Sequence, residues 1–195
     1  MRKTITSPKG IAQHPHINEP DTKFGDGVYH LKIKLSAEDA EPFIEELEAI
    51  LKEGYEAECA AKNKKSLKMA TSKPWNKEVD DEDEETGCWI IKAKQKAEIE
   101  TSNGPKDMRI HIVDAKRNPM TDVVGGGSLI KINVEPSIYF TPTLGLGVTL
   151  RLRAVQVLDL KTFSTDFGFE NEDGFEVDST ESPEVAEVAL DKVDF

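Results

Sequence analysis

The sequence predicts a mainly β domain, a small sandwich or closed barrel, carrying a single helix. Three observations carry that expectation. Five segments alternate apolar and polar residues with a period of two, the pattern of strands with one face on a core. One segment repeats apolar residues at helical spacing. Glycines gather ahead of two alternating segments, where sharp turns or barrel corners need them.

In the first alternating segment, 28–35, Tyr29, Leu31, Ile33 and Leu35 share one face and His30, Lys32 and Lys34 the other. Ser36 then suits a helix N-cap, with Asp39 in a capping-box-like position. Ala40, Phe43, Ile44, Leu47, Ile50 and Leu51 form one apolar stripe. Gly54 marks the end of the helix or a kink, unless Tyr55–Ala61 continue it, and the acids on the outer face read as solvated surface. Residues 62–87 form a long excursion, basic from Lys62 to Lys77 and acidic from Glu78 to Glu85. Such loops are functional or disordered.

The second alternating segment, 88–99, sets Trp89, Ile91, Ala93, Ala97 and Ile99 against Lys92, Lys94 and Lys96. Met108, Ile110 and Ile112 oppose Arg109 and His111; Ile130, Ile132 and Val134 oppose Lys131 and Asn133. Leu150, Leu152 and Ala154 oppose Arg151 and Arg153. The segments are expected in antiparallel order, with Gly125–Gly127 and the pair Gly145 and Gly147 at the turns before the last two.

The charge is segregated. Of 195 residues, 37 are Asp or Glu and 25 Lys or Arg, a net of −12. Residues 166–195 hold eleven carboxylates against Lys192 alone, a segment charge of −10. A segment that polar cannot bury enough apolar surface to offset its ordering entropy, so it is expected to be a disordered acidic tail behind a folded domain at 1–165. Setting aside the tail, the helix with its nine acids and the seven-acid run within 78–85 leaves ten acids against 23 bases, a net of +13.

Several function classes find no support. No apolar run approaches the roughly 20 residues of a membrane span, and the first six residues lack the apolar core of a secretory signal. Cys59 and Cys88 read as unpaired thiols in a reducing cytoplasm. His14-Pro15-His16 is not a metal-ligand spacing, and Gly125–Gly127 lacks the Lys and Ser/Thr of a phosphate-cradling loop. No cofactor, metal site or catalytic constellation is expected.

Nearly every charged outward position on the strands is basic: Lys32, Lys34, Lys92, Lys94, Lys96, Arg109, Lys131, Arg151 and Arg153. Solvated faces mix signs, whereas a single-sign face repels itself unless a polyanion screens it. Aromatic rings distinguish single strands, whose bare bases stack on them. Trp75, between Lys73, Pro74 and Lys77, either stacks on bases or packs on the barrel; Tyr139 and Phe140, after Pro136, also fall outside a clean alternation.

Three blocks, SPKGIAQHPHINEPDTKFGDGVYHLKIKL (7–35), KPWNKEVDDEDEETGCWIIKAKQKA (73–97) and GGGSLIKINVEPSIYFTPTLGLGVTLRLRAVQVLDL (125–160), together with the acidic end Asp194-Phe195, resemble the single-stranded DNA-binding protein of short-tailed, T-odd-type (T-seven-type) bacteriophages. The resemblance implies an oligonucleotide/oligosaccharide-binding (OB) fold, a five-stranded antiparallel barrel with one capping helix, and a homodimer. It implies a non-enzymatic protein of the infected host's cytoplasm, coating unpaired DNA in replication, recombination and repair. By position, Lys92, Lys94, Lys96, Arg151 and Arg153 would line the groove and Trp75 or Tyr139 would stack on bases. The tail, with Asp191, Asp194 and Phe195, would compete with DNA and dock phage polymerase and primase-helicase. The acids at 78–85 beside Trp75 depart from this picture, because a DNA groove should be electropositive there. An acidic DNA mimic that inhibits a host nuclease or polymerase, and a metal-dependent phosphoryl-transfer enzyme using Asp80, Asp81 and Asp83, are the competing readings.

Overall fold

The computed structural model describes residues 3–162 except 24, 26 and 103. In chain order the elements are β1 (Ile5–Thr6), β2 (Gly10–Asp21), β3 (Val28–Ser36), α1 (Ala37–Ala61), β4 (Trp75–Val79), β5 (Glu85–Lys96), β6 (Glu98–Thr101), β7 (Gly104–Asp107), β8 (His111–Val113), β9 (Leu129–Thr141) and β10 (Gly145–Asp159). Strands β2, β3, β5, β10 and β9 pair in that order, and β9 returns to β2, so five strands close a ring. The third barrel strand along the chain therefore lies beside the fifth, an OB-type barrel.

The closure between β5 and β10 is parallel, with Arg151 opposite Lys94. The expected antiparallel order fails at this joint for a topological reason. Strand directions cannot alternate all the way round a ring with an odd number of members. β1 and β4 add antiparallel to β9 and β5, while β8 adds parallel to β10.

The alternation places the core as expected over most of its length. Leu31, Ile33, Leu35, Ile91, Ala93, Ile130, Ile132, Val134, Leu150 and Leu152 are all buried. Two strands depart from it. β5 ends at Lys96, with one further bond from the Ala97 N–H to the Gly27 carbonyl, and Ile99 leaves the barrel in the β6–β7 hairpin. In β10 the register shifts between Leu152 and Ala154, so Val155, not Ala154, becomes the next buried residue. A bulge of this kind adds one residue and inverts the alternation beyond it. Pro136 sits within β9 beyond the last pairing of that strand with β1 or β2, where a missing N–H costs no ladder bond on that side.

Ser36 caps α1: its Oγ accepts from the Asp39 N–H at 3.2 Å and lies 2.9 Å from the Asp39 carboxylate. Ala40, Phe43, Ile44, Leu47 and Leu51 are buried. The helix runs through Gly54 to Ala61, so Gly54 is neither a stop nor an end. Its role is close approach, since a Cβ there would stand 2.5 Å from Ile138 Cγ1 on β9.

The segment after α1 is a strap and a hairpin. The Leu67 N–H donates to Tyr55 Oη at 3.1 Å. The Ala70 N–H donates to the Leu146 carbonyl at 2.7 Å and the Leu146 N–H to the Lys68 carbonyl at 2.8 Å, laying the strap along the start of β10. β4 then pairs with β5 across a turn whose Asp80 Oδ1 accepts from the Glu82 and Glu84 N–H groups, both at 2.9 Å. The expected tail at 166–195 lies outside the described residues. No helix among the described residues is long and apolar enough to cross a membrane.

Candidate nucleic-acid interface

The outward faces of β3, β5 and β10 lie side by side, and their register stacks like charges. Lys32 stands directly opposite Lys92, and Lys94 is the residue opposite both His30 on β3 and Arg151 on β10. Facing side chains in such pairs have Cβ atoms only about 5 Å apart, and like charges there cost stability. Lys32 with Lys92 and Lys94 with Arg151 thus set like charges side by side on one face, a self-repelling arrangement that a polyanion would screen.

Two depressions, each of about 350 Å³, lie on this face. The first is bounded by Lys32, Lys73, Lys92, Lys94 and Tyr139, with His30, Ser72 and Thr149. The second holds Lys94, Lys96, Arg151 and Arg153, with Met108 and Ile99 as apolar wall. Lys94 and Thr149 line both, so the two hollows adjoin on one cationic face of the barrel and are together called the trough. The strap supplies one bank through Ser72, Lys73 and Pro74, anchored by the Lys92 N–H to the Pro74 carbonyl at 2.7 Å.

Tyr139 is the ring at this trough. It lies opposite Gly147 in the β9–β10 ladder, and its phenol crosses that glycine so closely that a Cβ would meet Oη at 2.5 Å. Trp75 does not share the role. It is 5 % exposed, sits in the core opposite Ile91, and carries the Lys73 ammonium 5.4 Å above its ring. As the first residue of β4 it faces the barrel, and burial removes the stacking surface expected of it.

The remaining expected residues divide. Lys34 donates to Glu78 at 2.6 Å and lines neither depression. Lys73 lines the trough but its Nζ also donates to Glu48 at 2.6 Å. Arg153 holds the buried carboxylate of Glu135 through Nε at 3.0 Å and through Nη2, so part of its charge is neutralised. Arg109 borders a separate hollow with Tyr29 and Met120, and Lys131 faces Gln156 outside both depressions. Asp191, Asp194 and Phe195 lie outside the described residues.

Among the acids at 78–85, Glu78, Asp80 and Glu85 make side-chain bonds. Glu78 takes Lys34 and the Thr86 hydroxyl, Glu85 takes Lys77, and Asp80 holds its own turn. None lines the trough. The Lys34 bond, then that from Thr86, hold the Glu78 carboxyl below the usual carboxylate range. His30 and Thr149 also border the trough, although neither is a fixed cation and charge patterning does not single them out. Each sits on the outward side of a clean alternation, a signal already present in the sequence.

No protein-family model matches the chain, and no curated protein matches it. Solved structures do. It is similar to gp2.5, a single-stranded DNA-binding protein encoded by bacteriophage T7, with a TM-score of 0.70 and 24 % identity over 91 % of this chain and 100 % of that one. The single-stranded DNA-binding protein of bacteriophage Enc34, in complex with single-stranded DNA, matches with a TM-score of 0.60 and 15 % identity over 83 % of this chain and 89 % of that one. The fold is shared with phage single-stranded DNA-binding proteins. At these identities the likeness is one of architecture, and the residues on the trough are this chain's own.

Proposed function

We propose that this chain binds single-stranded DNA without regard to sequence and without catalysis, as a T-seven-type phage single-stranded DNA-binding protein acting in replication, recombination and repair in the host cytoplasm. The observation that carries the reading is the cationic trough of two adjoining hollows, with Lys32 opposite Lys92 and Tyr139 at its bank. Lysines and arginines neutralise phosphates, and a bare base stacks on the phenol ring. The fold's occurrence in a protein captured on single-stranded DNA supports the same reading.

In this proposal residues 166–195 act as a tethered competitor. Closely spaced carboxylates resemble a phosphate backbone, Phe195 offers a ring for a stacking site, and tethering supplies an effective concentration of about millimolar. The released tail, through Asp191, Asp194 and Phe195, docks the phage polymerase and primase-helicase, and the protein works as a homodimer.

Fluorescence anisotropy with labelled single- and double-stranded oligonucleotides, on the full chain and on a chain ending at 165, tests the reading. Preferred binding of the single strand, tightened by tail removal, is the expected result. Absence of binding by both forms overturns it in favour of the DNA mimic; weaker binding after truncation overturns the competing tail alone.

A further inference from the structure

His16 and His30 meet across the β2–β3 ladder with ring centroids 4.7 Å apart, and Asp21 completes the group with Oδ2 3.3 Å from His30 Nε2. One donor atom from each of the three lies within 4.8 Å of the other two. We propose that His16, Asp21 and His30 form a binding site for a divalent transition metal of the zinc class, with one coordination position open.

The chain builds this group by a local irregularity. From the pair Gln13–Lys32 to the pair His16–His30, β2 advances three residues while β3 advances two. His14, within this step, has a φ of 46°. Without the extra residue Pro15 would face His30; the bulge brings His16 there instead. Asp21, at the end of β2, is fixed in turn, with its Oδ1 accepting from the Lys23 N–H at 2.9 Å.

The chemistry suits the metal. Two imidazoles and one carboxylate are a common three-ligand set for zinc, at about 2.0–2.2 Å per bond, which sets donors of a tetrahedron about 3.3 Å apart. The His30–Asp21 separation already has that value. His16 is exposed, so its ring is free to close the rest. The Lys23 amide orients the carboxylate as outer-shell partners of metal ligands do. Two neutral imidazoles and one carboxylate carry −1, so a dication leaves +1, and it does so at His30, which borders the trough.

Cobalt(II) titration of the full, untagged chain tests the site, with zinc as competitor. The expected result is one equivalent bound with the intense visible bands of tetrahedral cobalt, no thiolate charge-transfer band, displacement by zinc, and at least about tenfold weaker binding in both His16→Gln and His30→Gln. Thiolate bands, pointing to Cys59 or Cys88, overturn the proposal, as does unchanged binding in His16→Gln, whose exposed side chain keeps that variant folded. A consequence resting on the proposed function is that zinc tightens single-stranded DNA binding by the wild type and not by His16→Gln. Because the cobalt titration contains no DNA, the metal site and the DNA-binding reading fail separately.

Discussion

The phenol of Tyr139 lies across Gly147 in the adjacent strand, so close that a Cβ on Gly147 would stand 2.5 Å from Oη and 2.6 Å from Cζ. The glycine is what lets the ring flank the trough. Tyr139→Ala is expected to weaken single-stranded DNA binding by about 1–3 kcal/mol, equally for all base compositions, the range for loss of one stacked base. Gly147→Ala should displace the ring and weaken binding in the same direction, while overpacking lowers stability by about 1–3 kcal/mol. Equilibrium binding and thermal melts on both variants check this; full affinity in Tyr139→Ala would remove the ring from the interface.

Trp75 gives the opposite expectation. Trp75→Ala should cost about 3–5 kcal/mol of stability, as for other buried large side chains. Trp75→Phe, which keeps a ring in the core, should leave DNA affinity within about twofold. Urea unfolding and anisotropy together separate core packing from stacking.

The cations sort by position and not by number. Replacing Lys92 and Lys94 with Ala should reduce the slope of log K against log[salt] by about 0.7 for each phosphate left without its lysine. Lys131→Ala, outside both depressions, should leave the slope unchanged. Binding isotherms over a salt series measure both.

At Gly54 two effects oppose. Alanine gains about 1 kcal/mol over glycine in a helix interior. Here the new Cβ would meet Ile138 Cγ1 at 2.5 Å and Cδ1 at 3.0 Å, and overpacking of that kind costs about 1–3 kcal/mol. Gly54→Ala should therefore destabilise the fold, contrary to its propensity, in a chemical denaturation experiment.

Acid should loosen the β4–β5 hairpin. Glu78 is held below its ordinary 4.5, first by the Lys34 hydrogen bond and then by Thr86. The folded chain thus binds that proton more weakly than the unfolded chain. The stabilisation is complete above about pH 4.5 and is lost as pH falls through the lowered folded value. Lys34 is raised above 10.5 by the same bond, so its share is present below that pH and lost as pH rises through the folded value. Glu78→Gln should flatten the fall of the melting temperature as pH drops below about 4.5, although Asp21 and Asp114, also lowered, retain part of it.

Much of the trough is legible in the sequence. Lys92, Lys94 and Lys96 alternate with Ile91, Ala93 and Gln95, and steric alternation along a strand leaves them no other face. The same rule could not foresee Lys34, whose charge is taken by Glu78 from a hairpin 44 residues away in sequence. Trp75 was ambiguous for a related reason: an indole in a polar stretch packs or stacks according to which strand its own strand joins, and that partner is β5.

The sequence alone determined the strand faces, the Ser36 cap, the apolar stripe of α1 and the segregation of acids from bases. These depend on neighbours within a few residues, where the periods of two and 3.6 act directly. Tertiary structure decided the parallel closure of the ring, the bulges in β2 and β10, and which cations share one trough. It also brought His16, Asp21 and His30 together. Those outcomes follow from which strands lie side by side and in what register, and a one-residue shift in register changes which side chains meet.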